Sequence, residues 1–70
     1  MTNYKEEEHR LLERIGERKG VQKIKFMQNI SYLTTCGIMG RHPDNFRQNF
    51  SDEQFIQQYL FYLHEVAYPN

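Results

Sequence analysis

Apolar residues recur at helical intervals in three stretches of the chain, and each stretch is bracketed by residues that start or stop a helix. In the first, Tyr4, Leu11, Leu12 and Ile15 fall on one side of a helical period. Asn3 followed three residues later by Glu6 has the spacing of a capping box, and Gly20 beyond Lys19 reads as a C-terminal stop. A helix from about Asn3 to Arg18 is predicted. Glu6 and Arg10 have the better orientation for an i,i+4 pair, and the run Glu6-Glu7-Glu8 reads as a solvated first turn whose charge suits the helix dipole.

From Val21 to Cys36, the residues Ile24, Phe26, Met27, Ile30 and Leu33 follow helical spacing more closely than alternation, so a second helix ending at Gly37 is expected. Ile24-Lys25-Phe26 and Ile30 to Thr35 are rich in β-branched and aromatic residues, which leaves strands as the competing reading. Gly37, Gly40 and Pro43 then break regular structure. Pro43-Asp44 suits the first turn of a short helix carrying Phe46 and Phe50 on one side. Ser51 with Gln54 forms a second capping-box spacing, and Asp52 to Ala67 reads as the strongest helix. Its broad apolar face is built on Phe55, Ile56, Tyr59, Leu60, Tyr62, Leu63, Val66 and Ala67.

The pattern predicts an all-α fold: a compact bundle of three main helices plus a short helical segment, with residues 1–70 forming one small domain. The expected core is Tyr4, Leu11, Ile15, Ile30, Leu33, Phe46, Phe50, Phe55, Tyr59, Leu63 and Val66. With 70 residues, 39% of them hydrophobic, the chain buries only about 60% of the surface it exposes when unfolded, so an internal active-site cavity would compete with the core. A membrane span needs roughly 18 to 20 apolar residues in a row and none is present; the first residues also lack the pattern of a secretory signal. One cysteine, Cys36, allows no intramolecular disulfide and fits a reducing compartment, so a cytoplasmic location is expected.

Charge changes the picture in one respect. The formal net charge is zero, but residues 1–9 hold one Lys against three Glu, residues 10–50 hold eight basic against three acidic residues, and the last twenty hold only three acidic ones. The basic middle between acidic ends satisfies itself within the molecule more readily than it attracts nucleic acid.

Candidate chemistry is sparse. His9, His42 and His64 are isolated from one another and from Cys36, no metal-ligand spacing occurs, and no glycine pattern cradles phosphate. The expectation is therefore a protein without enzymatic activity, cofactor or metal. Cys36 reads as a small buried hydrophobe. On the last helix, Phe61 points nearly opposite the apolar face, among Gln57, Gln58, His64 and Glu65, with Tyr68 beyond. Aromatics ringed by adaptable amides are what interfaces use. Phe61, Gln57, Gln58, His64 and Tyr68 are thus the candidate partner-binding residues, and a homodimer through this helix is the specific expectation.

The segment from Leu33 to Phe50 resembles a helix-turn-helix in outline, with a turn longer than usual for that motif. The resemblance implies Asn45, Arg47, Gln48 and Asn49 as base readers, with Arg41, Lys23 and Lys25 on phosphates. His42-Pro43-Asp44 is also the loop tripeptide of J-domain co-chaperones, but the strongly basic helix that precedes it there is missing here. The functional expectation is a small protein-binding regulator, an adaptor or inhibitor of the kind phages and mobile elements encode, with DNA binding through residues 44–49 as the alternative.

Overall fold

Four helices follow one another in the computed structural model, which describes residues 3–69: α1 (Tyr4–Lys19), α2 (Ile24–Met39), the one-turn α3 (Phe46–Asn49) and α4 (Glu53–Ala67). A 3-10 turn at Val21–Lys23 joins α1 to α2. No strand occurs among the described residues, so the β-branched centre is helical and the fold is an all-α bundle.

The hydrophobic period explains α4 most directly. Phe55, Tyr59, Leu63 and Ala67 stand every fourth residue and all are buried, which makes α4 the central stave. Leu11 and Ile15 of α1 and Tyr32 and Cys36 of α2 complete the core around it. Helices α1 and α4 run side by side in the same direction. Tyr4 stacks on Phe50 just before α4, Tyr59 donates its hydroxyl proton to Glu8 midway, and the Arg18 guanidinium donates to the Val66 carbonyl at 3.0 Å near the far end. Helix α2 runs back along them, and Gln28 Nε2 donates to the same Glu8 carboxylate at 3.1 Å.

The helix ends differ from the sequence expectation in their chemistry more than their position. The Asn3 side chain makes no cap bond; only its carbonyl is used, accepting from the Glu6 amide at 3.2 Å. Arg10 pairs with Glu7 instead of Glu6. At the start of α4 the cap is Asp52, whose Oδ1 accepts from the Gln54 amide at 2.9 Å, while Ser51 bonds backward to the Arg47 carbonyl and closes α3. Pro43 does not begin a helix: residues 42–45 form a turn, with the Asn45 amide donating to the His42 carbonyl, and α3 starts at Phe46. Helix α2 passes through Gly37 and stops at Gly40, whose φ of 67° is the left-handed conformation of a C-terminal cap.

The larger correction concerns which residues are inside. Ile30, Leu33 and Phe46, expected in the core, are exposed, and Tyr4, Phe50 and Val66 sit half-buried at its margin. In their place α2 turns Ser31, Tyr32, Thr35 and Cys36 inward. Thr35 can lie there because its hydroxyl donates to the Ser31 carbonyl one turn back at 2.7 Å. Small side chains at 31, 35 and 36 leave room in the core for the large ones α4 presents. Phe50 gathers the rings of Tyr4, Tyr32, Phe46, Phe55 and Tyr59 at centroid distances of 4.7 to 5.5 Å.

Asn49 holds the loop between α2 and α4. It is 1% exposed, and its amide nitrogen donates to the Tyr32 hydroxyl at 2.8 Å and to the His42 carbonyl at 3.1 Å, with Cys36 Sγ at 3.7 Å. Tyr32 in turn donates to the Pro43 carbonyl at 2.9 Å. Replacing Asn49 by Ala leaves buried acceptors without a donor, a loss of about 1 to 3 kcal/mol. Thermal unfolding of Asn49→Ala should therefore show a melting temperature several degrees lower, whereas Asn45→Ala, at an exposed side chain in the same turn, should stay within about 0.5 kcal/mol of the parent.

Candidate functional site

With Tyr32 and Thr35 facing inward, helical geometry sends the opposite stripe of α2 outward. At about 100° per residue, Phe26, Ile30, Leu33 and Gly37 fall within roughly 60° of one another on the solvent side. Phe26 is 56% exposed, Ile30 38% and Leu33 45%. The helix thus carries apolar side chains on both sides: Ser31 and Thr35 lie buried beside Tyr32 and Cys36, and three large apolar residues line its exposed stripe. Gly37 leaves the far end of the stripe flat, since a Cβ there would meet nothing within 4 Å.

The stripe continues sideways into a groove of about 550 Å³ between α1, α2 and α3, lined by Lys25, Phe26, Phe46 and Phe50, with Glu8 and Tyr59 at its base. Lys23 Nζ lies 5.7 Å from the centre of the Phe26 ring, a cation-π arrangement at the N-terminal end of the stripe. Phe46 is also exposed, its ring tilted against Tyr32 at 5.2 Å. At the base of the groove Tyr59 and Gln28 both donate to Glu8 Oε2. Among the described residues no three His, Cys, Asp or Glu side chains come together as a metal site.

The residues singled out on α4 are placed as follows. Phe61 is 53% exposed, its ring roughly perpendicular to that of Tyr62 at 5.7 Å. Gln57 and His64 are exposed and Gln58 is half-buried. Tyr68 packs against the His64 ring at 5.1 Å, and the Arg14 guanidinium lies over it at 5.1 Å, so the pair leans onto α1. On α4 the large exposed apolar side chain is thus the single Phe61 ring, with the His64–Tyr68 pair toward α1, while on α2 three such side chains follow one another.

The DNA-reading arrangement is not assembled. Asn49 is buried and committed to Tyr32 and His42, so it cannot reach a base edge. Helix α3 has four residues, a single turn, too short to lie in a major groove as a recognition helix. Arg41 is paired with Asp52, and only Asn45, Arg47, Gln48, Lys23 and Lys25 remain exposed without such an engagement of charge or burial.

Sequence reasoning missed the α2 face because it took Ile24, Phe26, Met27, Ile30 and Leu33 as one helical period and placed Ile30 and Leu33 in the core. The signal that separates the two readings is the second stripe, Tyr32 with Cys36 and Thr35. Two apolar-containing stripes on one helix cannot both be covered in a three-helix bundle. No protein-family model, no curated protein and no solved structure matches this chain.

The groove base also fixes a pH dependence. Burial first, and then the hydrogen bond to Glu8 and its charge, push the ionisation of the Tyr59 hydroxyl well above the ordinary tyrosine range. Above about pH 10 the unfolded chain releases this proton while the folded chain keeps it, so the stability that Tyr59 contributes at lower pH falls as the pH rises. Denaturant midpoints should be flat up to about pH 9 and drop beyond about pH 10, with a shallower drop for Tyr59→Phe. Tyr4 and Tyr32, also raised chiefly by burial, act in the same direction.

Proposed function

We propose that this is a non-enzymatic protein-binding module, a small adaptor, inhibitor or regulator acting in the cytoplasm, and that its binding face is the outward stripe of α2. One observation carries the reading: a helix that buries Ser31 and Thr35 while exposing Phe26, Ile30 and Leu33 leaves apolar surface that the chain's own fold does not use. Contiguous apolar side chains with a polar surround are the usual core of a protein interface, and the aromatic members Phe26 and Phe46 supply the large rigid contacts that dominate binding energy. No helix of the described residues is long and apolar enough to cross a membrane, so a span does not account for the stripe.

Phe61 and its neighbours on α4 form the second surface, favoured by the exposure of that one ring. The two surfaces are separable by affinity capture from the native host with matched variants. Loss of the captured protein with Ile30→Glu and its retention with Phe61→Ala is the expected result. The reverse pattern would move the binding face to α4. Capture of nucleic acid in place of protein, weakening steeply with added salt and abolished by changing Lys23, Lys25 and Arg47 together, would replace protein binding with DNA-backbone binding.

A further inference from the structure

We infer that the partner seated on the α2 face is a second copy of this chain, packed antiparallel about a twofold axis that passes between Ile30 and Leu33. The inference rests on the proposed binding role of that face and names its occupant.

The spacing of Phe26, Ile30, Leu33 and Gly37 is four, three and four residues, the alternation of a coiled-coil seam, over three helical turns. Twofold antiparallel packing sets Ile30 opposite Leu33 and Phe26 opposite Gly37 of the other copy. That register accounts for a glycine the isolated chain has no use for. Gly37 lies inside a regular helix with helical backbone geometry, and nothing in its own fold approaches it, so alanine would serve the single chain better. Opposite a phenylalanine ring across an axis, the missing side chain becomes the space into which the ring fits.

Charge selects the same direction. Helix α2 carries no acidic residue in its first turn and no basic residue in its last, while Lys23 and Lys25 crowd its N-terminal end. This is the wrong way round for its own dipole. In an antiparallel pair each copy's lysines lie beside the carbonyl end of the other copy's α2, where positive charge is favourable. Arg41, the cation nearest that end, is already held by Asp52. A parallel pair would bring the four lysines together. The flanks of the seam, Asn29 and Thr34, are exposed and uncharged, so two identical copies meet without like-charge repulsion.

The area sets the strength. With aromatic side chains offering roughly 150 to 250 Å² each when whole, the half-exposed stripe with Phe46 at its edge supplies on the order of 400 Å² per copy, about half of what a stable complex buries per partner. The dimer is therefore weak, with a dissociation constant of about 10 to 100 micromolar.

Sedimentation equilibrium from about 5 to 500 micromolar tests this on the full chain, with circular dichroism confirming that each variant is folded. Wild type should pass from monomer to dimer across that range. Leu33→Glu should weaken the dimer at least about tenfold. Gly37→Leu should weaken it comparably, although it adds apolar surface; if it strengthens association instead, Phe26 does not sit over Gly37 and the register is overturned. A spin label on Gln22→Cys, mixed with unlabelled isotope-enriched chain, should broaden amide signals of residues 37–41 in the other copy. Broadening at residues 21–26 would make the pair parallel, and broadening around Phe61 would place the interface on α4; either overturns the inference. A wild type that stays monomeric at the highest concentration also overturns it. If the same monomer still captures a foreign protein in an Ile30-dependent manner, the binding role of the face survives without the dimer.

Discussion

The Tyr32 side chain, held at both ends, sets the rotation of α2, and most of the molecule's character follows from that rotation. Its ring lies among Phe46, Phe50 and Phe55, and its hydroxyl is fixed by the Asn49 amide and the Pro43 carbonyl. A helix anchored inward at one residue has no freedom about its axis. The residues one turn along the same side, Thr35 and Cys36, go inward with it, and the Phe26, Ile30 and Leu33 stripe must face out. The same hydrogen bonds tie down the loop from Gly40 to Asn45 and deliver α4 to its place beside α1, so a polar cluster of two side chains and two carbonyls connects the rotation of one helix with the position of another.

How much of this was legible in the sequence depends on the kind of signal. The period-four row of Phe55, Tyr59 and Leu63 specified α4 correctly because apolar residues occupy most of that helix's inward side and polar ones most of its outward side. Gly20 likewise stopped α1 where expected, since its φ of 102° is one that other residues rarely adopt. The face of α2 was not legible, for a physical reason: hydropathy ranks Ile30 and Leu33 above Ser31 and Thr35, and nothing in the local pattern records that Thr35 satisfies its hydroxyl within its own helix or that Tyr32 has a partner seventeen residues away. Long-range hydrogen bonds leave no periodic trace. The role of Asn49 was misread on the same account, because an amide in a loop region is an equally good base reader or buried tie until its surroundings are known.

Gly37 shows the limit from the other side. Its sequence context, after Thr35 and Cys36 and before Ile38, suggested the end of a helix, and the helix passes through it instead. Glycine stops a helix when the backbone turns left-handed there, and here that turn falls three residues later at Gly40. Of two nearby glycines, only one can be the stop; the other is then unexplained by the fold of the single chain, and its place at the end of an exposed apolar stripe is what ties it to an interface.

Why the chain does not simply rotate α2 and bury the stripe can be decided by magnitude. Covering the exposed halves of Ile30 and Leu33 would remove on the order of 150 Å² from water, roughly 4 kcal/mol at 25 cal/mol per Å². The rotation would at the same time expose Tyr32 and Cys36, whose burial is worth about as much by the same measure. The apolar terms nearly cancel, so they do not choose between the two rotations. The polar terms do: rotated out, Tyr32 would take one of two oxygen partners from the buried Asn49 amide and the donor from the part-buried Pro43 carbonyl, at about 1 kcal/mol for each hydrogen bond lost. Buried hydrogen bonds here contribute less to the depth of the folded state than to its uniqueness, by penalising the competing packing more than they stabilise the observed one. An apolar stripe thereby kept on the outside by a polar lock on the inside stays accessible whatever the chain's own core would gain from it, which is the physical condition a binding face requires.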